Sequence, residues 1–421
     1  MSQTIQAVRG MNDVLPDQSP LWEFFEDTAR SWLAQYGYRG MRMPILERTE
    51  LFVRSIGEVT DIVEKEMYTF IDQLNGESLT LRPEGTASCV RAANQHNLLY
   101  NGPQRVYYAG PMFRHERPQK GRYRQFHQIG VEALGIPGPE VDAEHMVMTA
   151  RLWTLLGLDG IRLQINTLGS TGCRTRFRAR LVKYLQGVKV QLDQDSKRRL
   201  HTNPLRVLDS KNPEMQDIIA QAPHMVDDLD EDSLRQFESL QGLLRGANVD
   251  FEINPRLVRG LDYYNDAVYE WTTERLGAQG TVCAGGRYDG LFGQIGGKPA
   301  PACGFAMGIE RLLALIAEAG PAVPSPFPDV YLVHAGEGTV TFAWAAAEQL
   351  RDQGFKVLLH LGGGSFKSQM KRADASGARF AVIVGEDETN RGVVSIKPLR
   401  QPGEQVQVQL GEAASLLRAA T

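Results

Sequence analysis

The chain has 421 residues, a length that favours two or three domains over a single core. Its 42% hydrophobic and 23% charged residues are typical of a folded, soluble protein, and its formal net charge of -4 means that a polyanionic partner would be bound by local basic patches. Four cysteines without CxxC spacing argue against a zinc site and a disulfide framework. Without a leader-like N-terminus or an apolar run of about 20 residues, the sequence predicts a cytoplasmic protein with no membrane segment.

Residues 1–170 and 250–318 predict one α+β domain. Within it, residues 20–36 predict a helix capped by Ser19 and stopped by Gly37. Strand-like segments such as SLTLR, QRVYYAGPMFRHE and RQFHQIGVEAL follow, joined by hairpin-like turns rather than by regular crossover helices. This arrangement predicts a largely antiparallel sheet with helices packed on it.

Three further segments follow from changes in pattern. Residues 171–249 are charged and helical in pattern, and predict an inserted helical domain. Residues 319–328 predict a linker, because prolines recur there too closely for a helix or a central strand. Residues 329–421 alternate strands with helices near 338–353 and 365–376, and predict a small parallel α/β domain. The glycine-rich stretch HLGGGSFKSQ in that domain lacks phosphate-loop spacing and predicts a strand-to-helix turn.

The densest charge cluster lies in MFRHERPQKGRYRQFHQ, residues 112–128. Five basic residues surround the single acid Glu116, namely Arg114, Arg117, Lys120, Arg122 and Arg124. The GRYR segment, with a glycine at its flexible tip, predicts the turn of a long hairpin. In the first arm Arg114 and Glu116 share one face, and in the second arm one face is shared by Phe126, Gln128, Gly130 and Glu132.

This polar face has two interpretations. An Arg and a Glu two apart on a strand often form a solvated ion pair that contributes little. A polar face beside the apolar YYAGPMF segment is costly to bury, however, unless it forms a site. Because arginine matches phosphate oxygens and an aromatic ring accepts a heterocycle, we predict a nucleotide site in the hairpin, with the basic loop available to a nucleic acid.

Two shorter motifs supply further candidates. RPEGTA predicts a turn that leaves Glu84 and Thr86 projecting, although Thr86 alone also suits a plain helix N-cap. VRGLDYYND, which contains Arg259, predicts a strand in which Tyr263 and Tyr264 point to opposite faces. One of these two rings would then pack while the other lines a cavity.

Two glycine-containing motifs lie further along the chain. The glycine pair of AGGRYDGL, residues 284–291, allows close backbone approach to a ligand. CGFAMGIERLL predicts a strand that runs into an apolar helix, with Arg311 near the helix start, where it favours anion binding. The basic run from Arg174 to Arg180 is better explained as a solvated helix face than as an RNA contact.

Together these motifs resemble the class II aminoacyl-tRNA synthetases, and within that class the histidyl-tRNA synthetase family. FRHE with its loop and QFHQ is similar to motif 2, GFAMGIERLL to motif 3, and YRGMRMPILE with Pro44 to the dimer-forming motif 1. RGLDYYN and AGGRYDGL are similar to the two histidine-specific signatures. The resemblance covers nearly the whole chain and implies that residues 329–421 form an anticodon-binding domain.

The resemblance implies ATP-dependent ligation of L-histidine to tRNA(His) through histidyl-adenylate, in a homodimer, with Mg2+ beside the pyrophosphate and no resident metal site. It implies catalytic roles for Arg259 and Arg114, and tRNA acceptor-end contacts for Arg117 and Gln119. The implied ATP contacts are Arg114, Glu116, Phe126 and Arg311. The implied histidine contacts are Glu84, Thr86, Gln128, Glu132, Arg259, Tyr263, Tyr264 and Tyr288.

Two alternatives remain. One is a non-catalytic, histidine-sensing regulatory subunit of ATP phosphoribosyltransferase, a class that resembles synthetases that have lost motif residues and usually the anticodon domain. Arg114, Arg259, Arg311 and a domain after residue 328 are present here, which favours the enzyme. The other is a different class II synthetase, prolyl or threonyl, which would share the architecture but would not require RGLDYY together with Glu132.

Overall fold

The computed structural model describes residues 4–57, 60–119, 121–210, 212–277, 280–321, 323 and 325–420. The chain forms two compact units, Met1–Ala322 and Val323–Thr421. Lys120 of the basic loop and Pro324 of the predicted linker lie outside the described residues. The assignment of residues 171–249 as an inserted domain and of residues 319–328 as a linker stays a prediction.

Regular structure in the described part of the first unit comprises ten α-helices and eleven strands. The helices are α1 (Ser19–Gln35), α2 (Thr49–Ile56), α3 (Thr86–Gln95), α4 (Pro139–Leu155), α5 (Thr171–Gly187), α6 (Gln194–Thr202), α7 (Gln216–Ala220), α8 (Glu231–Gly246), α9 (Leu291–Gln294) and α10 (Ile309–Ala319). The strands are β1 (Arg39–Gly40), β2 (Leu46–Arg48), β3 (Tyr68–Ile71), β4 (Ser78–Leu81), β5 (Gln104–Phe113), β6 (Gln125–Leu134), β7 (Arg162–Thr167), β8 (Phe251–Ile253), β9 (Asn265–Thr272), β10 (Thr281–Arg287) and β11 (Ala302–Gly308).

Eight of these strands form the main sheet, in the order β1-β5-β6-β11-β10-β9-β7-β8. Neighbouring strands from β5 to β7 in this order run antiparallel. The short edge strands run parallel to their neighbours, β1 to β5 and β8 to β7. The prediction of a largely antiparallel sheet in an α+β unit is therefore confirmed. The three remaining strands form a small sheet in the order β2-β4-β3.

Two hydrophobic clusters cover the two faces of the main sheet. On one face, α1, α4, α8 and α10 pack on alternate strand residues, including Ile129 and Val131 of β6. On the other face, α3, α5 and the helices after α5 pack around Val106 and Tyr108 of β5. Burial of each large apolar side chain in these clusters contributes about 1.5–3 kcal/mol to the free energy of unfolding. Because side chains alternate along a strand, the predicted polar residues of β6 point to this second face.

Helix α1 shows where local sequence signals succeed and where they fail. Phe25 and Trp32 lie on its buried face, as the helical spacing predicts, and the helix ends before Gly37, which has a φ of 74°. The predicted cap is wrong. Ser19 is the first helical residue, and its hydroxyl donates to the carbonyl oxygen of Leu15 (3.5 Å).

The chain between β7 and β8 contains α5 to α8 and no strand among its described residues, in agreement with the predicted helical pattern. The starts of α5 and α8 are joined. Ser170 caps α5 by accepting the N–H of Cys173 (3.3 Å), and its hydroxyl donates to Asp230 (2.8 Å). Asp230 in turn caps α8 by accepting the N–H of Ser233 (2.9 Å). This shared pair of caps fixes the two helices relative to the end of β7.

The second unit is a smaller α/β fold. Its elements are β12 (Val330–His334), α11 (Thr339–Asp352), β13 (Val357–Leu359), α12 (Phe366–Ala375), β14 (Phe380–Val384), α13 (Glu386–Arg391), β15 (Val393–Pro398), β16 (Val406–Gln409) and α14 (Leu410–Ala419). The sheet order is β13-β12-β14-β15-β16, with the first three strands parallel and the last two antiparallel. The strands whose alternation with helices predicted a parallel domain, β12, β13 and β14, are parallel as expected, and the two later strands β15 and β16 add an antiparallel edge. Helix α13 has only 6 residues, too short for a parallel crossover, so β15 turns back beside β14.

The glycine-rich stretch lies between β13 and α12. Residues 362–364 all have positive φ, a backbone conformation that favours glycine. Ser365 then caps α12 by accepting the N–H of Ser368 (3.3 Å). The stretch is the strand-to-helix turn that its spacing predicts.

Candidate active site

Most of the predicted site residues meet in one cleft on the second face of the main sheet. The cleft encloses about 220 Å³ between β6, β10, β11 and the starts of α3 and α10. Ten predicted residues line it: Glu84, Thr86, Arg114, Glu116, Phe126, Gln128, Arg259, Tyr263, Tyr264 and Arg311. Glu132 and Tyr288 are buried behind these walls, and Arg117 and Gln119 lie exposed on the loop after β5.

Glu132 is the buried acid at the closed end of the cleft. Its side chain is 0% exposed. One carboxylate oxygen accepts from the hydroxyls of Thr86 (2.8 Å) and Tyr108 (2.9 Å), and the other accepts from the hydroxyl of Tyr288. Burial raises the pKa of Glu132 to about 8, against the lowering effect of these three hydrogen bonds. Gly304 on β11 makes room for the carboxylate, since any Cβ there would collide with it.

Three tyrosine rings cluster beside the buried acid. The ring centroids of Tyr263 and Tyr264 are 4.7 Å apart, and Tyr288 lies 5.5 Å and 6.3 Å from them. All three rings are buried. The prediction that Tyr263 and Tyr264 face opposite ways is wrong, because residues 258–264 form a loop before β9, where strand alternation does not apply. Both rings therefore line the cleft.

The glycine pair of β10 makes room for protein rather than for a ligand. A Cβ at Gly285 would collide with the carbonyl oxygen of Gly304 on β11. A Cβ at Gly286 would lie 2.5 Å from the carbonyl oxygen of Ala267 and 3.0 Å from the ring of Tyr264. The predicted approach of a ligand to these glycines is thus wrong. They let the neighbouring strands come close and leave space for a cleft-lining ring.

Glu84 connects the site to a helix start. Its carboxylate accepts the backbone N–H groups of Thr86 (2.7 Å) and Ala87 (2.9 Å) in the first turn of α3. Thr86 is not the cap, and its hydroxyl donates to Glu132 instead. The cap role considered for Thr86 therefore belongs to Glu84. Burial raises the pKa of Glu84, and the two backbone hydrogen bonds oppose that rise.

Arg114 and Glu116 lie in the loop after β5, so the predicted shared strand face is wrong for this arm of the hairpin. The Nε of Arg114 donates to the carbonyl oxygen of Pro83 (2.9 Å), and its guanidinium carbon lies 5.2 Å from the ring centroid of Phe126. Glu116 forms an ion pair with Arg122 of the same loop. Burial lowers the pKa of Arg114, and nearby glutamates oppose this. The arginine is therefore held at the mouth of the cleft by backbone and ring contacts.

Arg259 is held by an acid on β9. Its guanidinium forms an ion pair with Glu270 and lies 5.6 Å from the ring centroid of Tyr264. The hydroxyl of Thr281 donates to the other oxygen of Glu270 (2.9 Å). Burial alone would lower the pKa of Arg259, but Glu270 together with Tyr264 and Tyr263 outweighs it, and the net direction is upward. The arginine therefore remains charged, and its side chain is 16% exposed to the cleft.

Arg311 lines the cleft from the start of α10. It is the third residue of α10, and it donates to the carbonyl oxygens of Thr281 (2.6 Å) and Gly121 (3.0 Å). These bonds connect β10 to the loop after β5. Burial lowers the pKa of Arg311, and the positive charges of Arg114 and Arg122 lower it further. Several like charges converge here, so an anion bound between them would be stabilised.

Tyr108 and Glu270, which hold other residues of the site in place, were not predicted. The ring of Tyr108 crosses from β5 to the buried acid, and a Cβ at Gly85 or Gly130 would collide with it. Gly130, directly opposite Tyr108 in the sheet, was the available signal, because a glycine among larger residues on one strand face leaves room for a ring. Glu270 offered no such signal. Only the fold brings it to Arg259.

Metal-binding clusters, disulfide bonds and membrane-spanning helices are absent from the described residues. Among the described residues, no group of three or more His, Cys, Asp or Glu side chains is placed to hold a metal ion. The four cysteines, at 89, 173, 283 and 303, are buried free thiols. No helix in the part of the chain that the structure describes is long and apolar enough to cross a membrane.

Comparison with known proteins assigns a family to each unit. A family model described as Histidyl-tRNA synthetase matches residues 10–312, and one described as Anticodon binding domain matches residues 329–420. The histidine–tRNA ligase of Nitrosomonas europaea is 68% identical over 99% of both chains, and that of Thiobacillus denitrificans is 63% identical over 100% of both. The crystal structure of apo histidyl-tRNA synthetase from S. aureus matches with a TM-score of 0.83 at 33% identity, covering 99% of this chain and 100% of that one.

The chain belongs to the histidyl-tRNA synthetase family, within the class II aminoacyl-tRNA synthetases. The resemblance inferred from RGLDYYN and AGGRYDGL is thereby confirmed. So is the fold expected from it, with an antiparallel catalytic sheet and a separate C-terminal α/β unit that matches the anticodon-binding family.

Proposed function

We propose that this chain ligates L-histidine to tRNA(His), using ATP and passing through histidyl-adenylate. The observation that carries the proposal is the buried Glu132 with three hydroxyl donors, set at one end of a cleft whose other end holds arginines. Full-length relatives named histidine–tRNA ligase support it. These relatives do not favour the regulatory-subunit, prolyl or threonyl alternatives.

The closed end of the cleft fits an imidazole ring. A carboxylate has about four acceptor positions, and three hydroxyls occupy three of them on Glu132. When Glu132 is ionised, the remaining position can accept an imidazole N–H, with Tyr264 at the other ring nitrogen and Tyr263 and Tyr288 beside it. A side chain without that N–H would leave a buried acceptor unpaired, at a cost of about 1–3 kcal/mol or more. Selection against other amino acids follows from this cost.

The α-amino group of histidine would bind between Glu84, Thr86 and Gln128. The side-chain oxygen of Gln128 is buried and has no hydrogen-bond partner among the described residues. An ammonium group is the kind of donor that such an oxygen lacks. Glu84 adds the complementary negative charge from the start of α3.

The arginines would serve adenylate formation. A carboxylate oxygen of histidine attacks the α-phosphorus of ATP, and the bond to pyrophosphate breaks. Negative charge develops on the α-phosphate oxygens, and positioned guanidinium groups stabilise it in place of water. We assign the carboxylate and α-phosphate to Arg259, the α-phosphate also to Arg114, and the adenine to Arg311, Phe126 and Glu116.

Magnesium would enter with ATP on the pyrophosphate side, where it would neutralise phosphate charge. The described residues contain no cluster of His, Cys, Asp or Glu that would hold a metal on its own, so the phosphates themselves would supply ligands. Glu116 and Glu270 are already engaged in ion pairs, with Arg122 and Arg259 respectively.

The second step would transfer histidine to tRNA. A hydroxyl of the terminal ribose attacks the carbonyl carbon of histidyl-adenylate, and AMP leaves. Arg117 and Gln119 lie exposed on the loop at the cleft mouth, and we assign them to the acceptor end of tRNA(His). We assign anticodon binding to the second unit. A cytoplasmic homodimer completes the proposal, on the basis of the motif 1 resemblance and the family.

The test is pyrophosphate–ATP exchange by the full chain with each common amino acid in turn. We expect exchange with histidine alone, followed by charging of tRNA(His). Binding of histidine without exchange would support the regulatory-subunit alternative. Exchange with proline or threonine in place of histidine would support another class II synthetase.

A further inference from the structure

A polar cluster behind the cleft joins the helices α5 to α8 to the loop that carries Arg259. Asp262 is its centre. The backbone N–H of Asp262 donates to the carbonyl oxygen of Ile56 (3.1 Å), and its carboxylate accepts from the side-chain amide of Asn203 (2.9 Å). The carboxylate also lies over Gly57, where a Cβ would be 2.6 Å from it. A signature residue that does not line the cleft therefore connects three segments of the chain.

Arg174 of α5 holds the same loop from the same side. Its guanidinium donates to the carbonyl oxygens of Tyr264 (2.8 Å) and Asp262 (3.5 Å). Both carbonyl groups belong to residues 258–264, which lie outside the strands. Because sheet pairing does not fix this backbone, side chains from the helices position it.

A second cavity, of about 240 Å³, lies on this side of the loop. Arg174, Asn203 and Asp262 line it. Arg259 and Tyr264 line both this cavity and the catalytic cleft, so they form a shared wall between the two. Among the described residues from 171 to 246, none lines the cleft itself. Contact between these helices and the substrates would therefore pass through the wall.

We propose that Arg174, Asn203 and Asp262 are positioning residues for histidine activation. They act through the backbone of the 258–264 loop and thereby set the side chains of Arg259 and Tyr264 in the cleft. The inference rests on the function proposed above, and it adds a role for the helices that no cleft contact reveals. A misplacement of about 1 Å at reacting groups can reduce a rate about 100-fold. The loss of a few hydrogen bonds to this loop can therefore strongly reduce the rate of histidine activation.

The test compares Arg174→Ala with Arg178→Ala in pyrophosphate–ATP exchange by the full chain. Arg178 is a matched control, because it lies one turn further along α5, lines the same cavity and donates to the carbonyl oxygen of His201 within the helices (3.0 Å). We expect Arg174→Ala to lower kcat/KM for histidine about 10-fold or more while the KM for ATP changes less than about two-fold. Arg174→Lys, which has one donor nitrogen in place of the two that bond the loop, should fall between wild type and Arg174→Ala. Arg178→Ala should behave as wild type.

Asn203→Leu provides a second, independent variant, since it removes the donor to Asp262 and retains a similar volume. It should show the same selective loss for histidine even if Arg174→Ala fails to fold. Equal behaviour of Arg174→Ala and Arg178→Ala, or equal losses for histidine and ATP that track a lower melting temperature, would overturn the inference. Wild-type protein without histidine-dependent exchange would overturn the proposed function and this inference together, whereas normal wild-type exchange isolates the inference.

Discussion

The two ends of the cleft differ in burial and in the charge of the groups that form them. At the histidine end, a fully buried carboxylate is surrounded by neutral hydroxyl groups that come from three separate elements. At the phosphate end, guanidinium groups remain partly open and are held by carboxylates or backbone carbonyl oxygens. Substrate oxygens can join or replace such partners. The comparison suggests that selectivity depends on a prebuilt, closed set of hydrogen bonds, while catalysis depends on cations that can turn to a new anion.

Removal of a cation from the phosphate end should abolish adenylate formation while histidine binding is retained. In Arg259→His we expect pyrophosphate–ATP exchange to fall at least about 100-fold, because charge on the α-phosphate loses a positioned partner. A thermal-shift titration should still show histidine binding. Arg256→His, an arginine in the chain just before the 258–264 loop, is the control and should retain exchange. Loss of histidine binding together with exchange would show that the two ends are not separable.

The converse variant alters the histidine end. Glu132→Gln keeps the shape of the buried side chain but removes one acceptor oxygen. We expect the KM for histidine to rise about 10- to 100-fold, because a buried hydrogen bond to a charged or polar group is lost, while the KM for ATP stays within about two-fold. Glu144→Gln on α4, whose partner is the half-buried Arg105, is the control and should match wild type. A parallel rise of both KM values would contradict the division of the cleft.

A substitution outside both ends should affect neither of them. We expect Arg117→Ala to lower aminoacylation of tRNA(His) about five-fold or more, because an exposed cation near a phosphate backbone contributes to RNA binding, while exchange stays within about two-fold. Arg30→Ala, an exposed arginine of α1 that pairs with Asp27, controls for a general loss of positive charge. Equal losses in the two assays would defeat the assignment of Arg117 to tRNA.

The smallest effect concerns the pH dependence of stability. Burial raises the pKa of Glu132 from 4.5 to about 8. Between these pH values the folded chain holds a proton that the unfolded chain has released, so the unfolding free energy falls as pH rises, by at most about 1.4 kcal/mol per pH unit. Glu132→Gln lacks this titration. The melting temperature of wild type, relative to that of the variant, should therefore decline between pH 5 and pH 8. A constant difference would show that Glu132 is already ionised at pH 5.

Strand alternation was sufficient to predict part of the site. It placed Phe126, Gln128 and Glu132 on one face of β6, and the structure shows that arrangement. Alternation failed where the chain leaves the strand. Arg114 lies in a loop after β5, and Tyr263 lies in a loop before β9, so in both cases tertiary contacts rather than local geometry set the direction of the side chain.

Other features could not be obtained from local patterns at all. The ion pair between Arg259 and Glu270 depends on how a loop folds back on its own strand. The antiparallel pairing of β15 with β14 likewise joins two segments through contacts that no motif of the sequence records. Such choices are made by packing over the whole unit, which no short motif encodes.

The helix cap formed by Glu84 has a consequence for how relatives of this chain can be interpreted. The same carboxylate that faces the cleft also completes the first turn of α3. A descendant that abandoned histidine activation would still gain about 0.5–2 kcal/mol of stability from that cap, so its retention in a sequence would be no sign of a working enzyme. Arg259 lies in a loop, where it caps no helix and pairs with the side chain of Glu270. It could drift once catalysis no longer mattered, and its presence or loss is therefore the more informative marker of a lost activity.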